Sequence, residues 1–409
     1  VGATCALIGM DLDHVEDLMR DAMPEKILDP NLEILNTAYD QVSEEYDVDA
    51  SDVSVPTGEH DETQLLMSGS DAIAYGAIDE GCRFIAGYPM TPWTEVFTIM
   101  AQNLPKLDGI SEQVEDEIAA AALAVGASHA GVKAMSGSSG GGFALMSEPL
   151  GLAEMTETPV VLVEAMRAGP STGMPTKPEQ SDLEHVLYTS QGDSQRVVLA
   201  PGTVEEAYEQ SRLAFRLAYE YQIPSILLYD QKLGGELVNV PKSHFDRDPN
   251  PGLGKTLTED ALSEEPHSPD GKFHRFQHDV DDGVSPRSIP GQKGGRYLAT
   301  GNEHDPTGHI CEDADNRVAQ IDRRTQKLDA IRADLDTEDT GSYAGPDDAQ
   351  YGILTFGSQQ GTVEEAVGRL NDAGVSVKSY GVSDMLPFPT EQVEAFVESV
   401  DEVLVVEMT

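Results

Sequence analysis

Between residues 64 and 236, short apolar runs alternate with amphipathic stretches, and this alternation restricts the fold more than any other feature of the chain. Strand-like runs fall at 84–88, 132–136, 159–166, 196–200 and 225–229. Helix-like runs fall at 70–81, 91–104, 115–130, 143–157 and 204–221. Short, buried-type strands separated by amphipathic helices imply βαβ units and hence a parallel sheet covered on both faces. The expected class is α/β, a doubly wound parallel sheet. The pattern resumes at 349–409, with strands at 351–356, 375–380 and 402–406 and helices at 362–373 and 390–400. That stretch reads as the first part of a second doubly wound domain. In such sheets ligands bind beyond the carboxyl ends of the strands, so chemistry is sought at the strand-to-helix turns.

The remaining segments are of other kinds. Residues 1–43 read as helical, with apolar spacing through 6–19 and 32–42, and residues 44–63 (EEYDVDASDVSVPTGEHDET) as an acidic linker. Residues 237–345 are rich in Pro, Gly, Asp and His and form an irregular connection with one helix at 316–335. That helix gathers Arg317, Arg323, Arg324, Lys327 and Arg332. The reading favoured is a solvated face with i,i+4 pairs to Asp322 and Asp329; an interface with an acidic partner is the other. Cationic clustering is notable because the chain has 73 Asp and Glu against 26 Lys and Arg, a net charge of -47. Such a field repels phosphate backbones and anionic lipid, so neither nucleic acid nor membrane is an expected partner. It suits a folded protein with an acidic surface in high salt, where screening removes the self-repulsion. Cys5, Cys82 and Cys311 are too few and too scattered for a disulfide framework, a zinc site or an iron–sulfur cluster. No apolar run is long enough to span a bilayer and no signal peptide is evident, so a cytoplasmic location is expected. A start at Val1 and a terminal strand suggest that both ends are cut.

Four turns carry candidate chemistry. GYPMTP (87–92) ends a strand and opens a helix, with Thr91 suited to the N-cap and Pro92 to the first turn. EDEIAAAALAVGASHAG opens with Glu115, Asp116 and Glu117, which suit a helix N-terminus. Beside an all-small helix surface, Glu117 can also approach a ring and exchange a proton with it. SGSSGGGF (136–143) is either a tight βα turn or a place where backbone N–H groups approach a cofactor. RAGPSTGMPTKPEQSD (167–182) follows a strand, placing Arg167 where a guanidinium suits a carboxylate, in a loop stiffened by three prolines. Three further segments are set aside. PNPGLGKTL (249–257) lacks the first P-loop glycine and a preceding strand. His274 with His278, and His304 with His309 and Cys311, have metal-like spacing in broken, polar surroundings.

Together the four turns resemble the α subunit of the thiamine-diphosphate-dependent 2-oxoacid:ferredoxin oxidoreductases, a pyruvate or 2-oxoglutarate synthase. The resemblance is dense over 68–235 and continues through 303–328, TFGSQQGTVEEAV and MLPFP; residues 1–42 resemble the end of a γ domain fused in front of α. It implies a thiamine-pyrimidine-binding domain at 64–236 and a partial transketolase-C-terminal-like domain at 346–409. It implies that Glu117 lies against the aminopyrimidine of thiamine diphosphate, and that Tyr88, Pro89, Ser136 and Gly137 line the cofactor. Thr91, Arg167 and Thr176 would meet the 2-oxoacid. The family's YPITP is here YPMTP, and its Gly-Pro-Gly-type turn is replaced by Ser138-Ser139-Gly140-Gly141-Gly142.

The chain has no GDG…N motif for Mg²⁺-diphosphate and no CxxC set for a [4Fe-4S] cluster, and in the family both belong to the β subunit. The implied activity is therefore shared between the two subunits in an (αβ)₂-type assembly. It is the CoA-dependent oxidative decarboxylation of pyruvate or 2-oxoglutarate to acyl-CoA and CO₂, with electrons passed to ferredoxin. Two rival expectations remain: a non-redox thiamine enzyme, and a non-catalytic assembly subunit.

Overall fold

The computed structural model describes residues 1–46, 62–264, 271–336 and 340–408. Most of the acidic linker therefore lies outside the described residues. The chain divides into two compact units, 1–63 and 64–409.

Among the described residues the first unit holds three α-helices, α1 (Gly2–Ile8), α2 (Asp13–Ala22) and α3 (Glu25–Glu45), around Cys5, Leu12, Leu32 and Leu35. The helical reading of 6–19 was too continuous: Gly9, at φ 69°, ends α1 in the left-handed region that glycine enters without cost.

The second unit begins with β1 (Gln64–Ser68), α4 (Gly69–Asp79), β2 (Phe84–Gly87), α5 (Thr94–Asn103), β3 (Ile110–Gln113), α6 (Glu117–His129) and β4 (Ala134–Ser138). It continues through α7 (Ser147–Met155), β5 (Val160–Met166), α8 (Leu183–Tyr188), β6 (Val197–Leu199), α9 (Val204–Tyr221) and β7 (Pro224–Asp230). Then follow α10 (Gln231–Gly235), β8 (Leu237–Pro241), α11 (Glu259–Glu264), α12 (Ala314–Leu335), β9 (Ser342–Ala344) and β10 (Tyr351–Phe356). The last elements are α13 (Gln359–Asp372), β11 (Val377–Val382), β12 (Asp384–Leu386), α14 (Thr390–Glu398) and β13 (Glu402–Val406).

Seven strands form the main sheet in the order β12-β6-β7-β5-β4-β2-β3, parallel except for β12. Both faces are covered, as the apolar runs require. On β5, Val161, Val163 and Ala165 join the core beneath α4, α5 and α9. Val160, Leu162 and Met166 join the core beneath α6 and α7. A four-stranded sheet, β13-β10-β11-β9, follows with β9 antiparallel. Its Phe356 and Tyr380 enter the same core as α6 and β5. The MLPFP segment supplies the antiparallel edge strand β12, which the alternation did not reveal because three residues are too short to show a period.

Three expectations shift by two to four residues. The strand expected at 132–136 starts later, because left-handed Gly131 and the Val132 N–H to Ala127 carbonyl bond first terminate α6. The helix expected from Thr91 starts at Thr94, with Trp93 rather than Thr91 at the cap and no side-chain cap bond. The helix expected at 143–157 opens as a 3₁₀ turn, Phe143–Met146.

The larger correction concerns α12. Arg323, Arg324 and Lys327 do not line a solvated face; all three are buried. Arg323 donates to both carboxylate oxygens of Glu157, and Lys327 donates to Glu157 Oε2 at 2.6 Å. Arg324 pairs with Glu303 at 2.9 Å. Arg332 does pair locally with Asp329, at 3.6 Å. Helical spacing identifies neighbours on the same helix but not a carboxylate that arrives from another element, and those carboxylates decide the face.

The segments set aside take structural parts. Lys255 pairs with Asp282, and Gly254 packs on the Tyr219 carbonyl. His304 is buried against Phe276, and His309 Nδ1 meets Thr307 Oγ1 at 2.7 Å. Among the described residues no His/Cys/Asp/Glu group has metal-binding geometry, and no helix is long and apolar enough to cross a membrane.

Candidate active site

The four turns marked in the sequence converge at the carboxyl ends of β2, β4 and β5. Asp116 caps α6, accepting from the Ala119 N–H at 2.8 Å, so Glu117 becomes the first helical residue. Its side chain is buried, with 3% exposure, and among the described residues it forms no ion pair. Ser138, the last residue of β4, donates its hydroxyl to Glu117 Oε1 at 2.8 Å. Gly142 lies flush against the same carboxylate: a β-carbon there would overlap both Glu117 Oε1 and Ser138 Oγ. A buried carboxylate at a helix N-terminus, bonded to a neutral hydroxyl and packed against a glycine, can exchange a proton with a polar group brought beside it.

Arg167 continues β5 and is also buried. Its Nη1 donates to the Thr91 carbonyl at 2.6 Å, joining the first and fourth turns. No carboxylate forms an ion pair with it among the described residues. A buried guanidinium with no carboxylate in direct contact leaves donors for an anion that a ligand can supply. The loop after it folds back through Ala168 N–H to Lys177 O (3.0 Å) and Met174 N–H to Ala168 O (2.8 Å). Thr176 is carried on this loop and is exposed. Glu179 accepts from the Gly169 N–H at 2.8 Å and so closes the loop's base.

The other expected residues occupy distinct positions. Tyr88 and Pro89 are exposed just beyond β2, and Thr91 is exposed while its carbonyl serves Arg167. Ser136 is fully buried and donates to the Ala86 carbonyl at 2.8 Å, so its hydroxyl clasps two strands. Gly137 faces the opposite side of the sheet, where a β-carbon would overlap the Trp93 ring. Thus Ser138 and Gly142, not Ser136 and Gly137, touch Glu117.

Sequence reasoning passed over Glu164 and Asp182. Glu164 sits inside β5 with no exposed surface and accepts the Gly140 N–H at 2.6 Å. The signal was a single carboxylate in the otherwise apolar strand PVVLVEAM.

Residues 75–323 match the family described as pyruvate flavodoxin/ferredoxin oxidoreductase, thiamine diphosphate-binding, and residues 349–409 match pyruvate:ferredoxin oxidoreductase core domain II. The chain belongs to the 2-oxoacid:ferredoxin oxidoreductase family. It is 32% identical to 2-oxoacid:ferredoxin oxidoreductase 2, subunit alpha, of Aeropyrum pernix, over 98% of this chain and 63% of that one. It is 35% identical to the 2-oxoglutarate synthase subunit KorA of Methanothermobacter marburgensis, over 84% of this chain and 88% of that one. The 2-oxoglutarate:ferredoxin oxidoreductase of Magnetococcus marinus, solved with 2-oxoglutarate, coenzyme A and succinyl-CoA bound, superposes with a TM-score of 0.88 and 33% identity. That match covers 100% of this chain and 69% of that one. Family membership bears out the resemblance read from the four turns, and the fold is the α/β class expected. The chain spans less than two thirds of the Aeropyrum relative's length.

Proposed function

We propose that this chain is the α subunit of a thiamine-diphosphate-dependent 2-oxoacid:ferredoxin oxidoreductase, acting with a β subunit to convert 2-oxoglutarate and CoA to succinyl-CoA and CO₂. The observation that carries the reading is the buried Glu117 carboxylate, held by Ser138 and faced by Gly142. The residues present fit the aminopyrimidine end of the cofactor: a carboxylate for a ring nitrogen, and a glycine wall that lets the turn close on that carboxylate. Thiamine diphosphate, when bound, supplies the electron sink for decarboxylation. Glu117 holds and exchanges the proton at the ring nitrogen. Buried Arg167, braced by the Thr91 carbonyl, receives the substrate carboxylate, with Thr176 on the adjoining loop. Tyr88 and Pro89 stand at the mouth of the site.

Mg²⁺, the [4Fe-4S] cluster and the electron exit to ferredoxin are assigned to the β subunit, in an (αβ)₂-type assembly. Relatives named 2-oxoglutarate synthase favour 2-oxoglutarate over pyruvate. The acidic composition supports a salt-rich cytoplasm as the setting.

The test is CoA-dependent reduction of ferredoxin or a viologen dye by the α/β complex in high salt, with 2-oxoglutarate and pyruvate in parallel. Turnover with 2-oxoglutarate alone supports the reading, and turnover with pyruvate alone moves the substrate. A complex that binds neither thiamine diphosphate nor a cluster would sink it.

The glycine wall gives a second expectation. Gly142→Ala places a methyl group against Glu117 and Ser138. Overpacking of this kind costs about 1–3 kcal/mol, so cofactor affinity should fall roughly tenfold or more. Calorimetric titration of the complex with thiamine diphosphate reads the change. Unaltered affinity would mean that the wall does not face the cofactor.

A further inference from the structure

We propose that Glu164 is a positioning residue of the 2-oxoacid site: its protonated carboxyl, shared with Asp182, fixes the glycine turn and keeps a second negative charge away from Arg167. The inference rests on the 2-oxoacid reading above.

Glu164 Oε1 is occupied by the Gly140 N–H at 2.6 Å. Its other oxygen, Oε2, is buried and has no other donor among the described residues, and the same is true of Asp182 Oδ2. The two carboxyls lie within hydrogen-bonding reach of each other. A β-carbon on Gly140 would come within 3.7 Å of Asp182 Oδ2, so the pair closes around the turn. Two carboxylates in such contact cannot both stay ionised in a buried site, and one proton between them satisfies both oxygens. Burial, and then the Asp182 charge, push Glu164 well above the usual carboxylate range. Burial also raises Asp182.

The charged and titratable neighbours are few. Arg167 stands one residue beyond β5, three after Glu164, and interacts with both carboxyls. Glu179 and His185 flank Asp182, and Tyr229 approaches from β7. With one shared proton the pair carries a single charge beside Arg167. Loss of that proton doubles the charge, sets the pair in competition with the substrate carboxylate for Arg167, and drives the carboxyls apart. The Gly140 anchor then moves, and with it the turn that carries Ser138 and Gly142 to Glu117. The consequence is a limb on the alkaline side in which KM for the 2-oxoacid rises, while kcat at saturation changes less.

Glu164→Gln tests this in the assembled α/β complex, because an amide copies the protonated acid: it accepts from Gly140 and donates to Asp182. The variant is expected to match wild type at neutral pH and to lose the alkaline rise in KM. In wild type kcat/KM should fall about tenfold per pH unit above the shared pKa. Glu164→Ala should impair both, since it removes the anchor. A Gln variant as impaired as the Ala variant at neutral pH, or one that keeps the alkaline limb, overturns the proposal. Infrared difference spectra of wild type against Glu164→Gln give a readout independent of turnover. A protonated-carboxyl carbonyl band in wild type at neutral pH supports the shared proton, and its absence overturns it. If wild type turns over no 2-oxoacid, the functional reading fails separately, and the infrared comparison still decides where the proton lies.

Discussion

Glu117→Gln is expected to lower kcat of the α/β complex by about 10²- to 10⁴-fold, the range over which a positioned acid–base group contributes. Glutamine keeps the volume of the buried side chain and can still accept from Ser138, whose hydroxyl lies 2.8 Å from Oε1. The packing against Gly142 is retained, so cofactor affinity should fall far less than turnover. Only proton exchange is lost, because an amide neither gives nor takes a proton near neutral pH. Glu117→Ala, by contrast, empties the space as well and should weaken both binding and turnover. The measurement is dye reduction under saturating 2-oxoacid and CoA, beside calorimetric cofactor titration. A Gln variant within tenfold of wild-type turnover would remove Glu117 from the chemistry and favour a non-catalytic assembly subunit.

The parts of this site that were legible share one property: they are local. A strand end followed by glycines, or a carboxylate opening an alanine-rich helix, is visible within ten residues, and parallel topology then places all such turns on one side of the sheet. Glu117, Arg167 and Thr91 were singled out this way, and the bond from Arg167 to the Thr91 carbonyl joins two of the turns. The choice between alternate residues of a strand was not legible. Ser136 and Ser138 both point to the α6 side of β4, and only their heights along the strand separate a clasp on Ala86 from a contact with Glu117. Gly137, between them, necessarily faces Trp93 on the other side. That alternation follows from strand geometry, once the true start of β4 is known. Its start was displaced by the Gly131 turn.

Charges that meet across long sequence separations were beyond reach for a different reason. Glu164 reads as an anomaly in β5 until Gly140 and Asp182 are brought to it. The cations of α12 read as solvent-facing because a very acidic chain offers local partners everywhere. Burial selects among those partners. Arg332 stays outside with Asp329, whereas Arg323 and Lys327 turn inward to a carboxylate on the turn between α7 and β5.

That inward cluster sets the largest expected stability effect. Glu157 is 1% exposed and holds Arg323 through both oxygens and Lys327 at 2.6 Å, while Arg275 donates to its backbone carbonyl at 2.9 Å. Glu157→Gln leaves two buried cations without their anion, and removal of one partner from a buried pair costs about 3–5 kcal/mol. The loss should appear as a lowered denaturant midpoint for the chain. Salt should not restore it, because ions screen exposed charges and not pairs closed off from solvent. The pH dependence carries the sign. Burial opposes ionisation of Glu157, yet Arg323 and Lys327 hold its carboxyl well below the usual range. A group depressed in the fold stabilises it above the unfolded pKa, about 4.3, and that contribution is lost as pH falls through the folded value. Wild type should therefore lose this part of its stability only on strong acidification, and Glu157→Gln should show a shallower acid limb from a lower starting point. An unchanged midpoint in the variant would mean that α12 is held by its apolar contacts, with Ile331 and Leu335 in the core beneath α9 anchoring it. The cations would then add nothing to the fold.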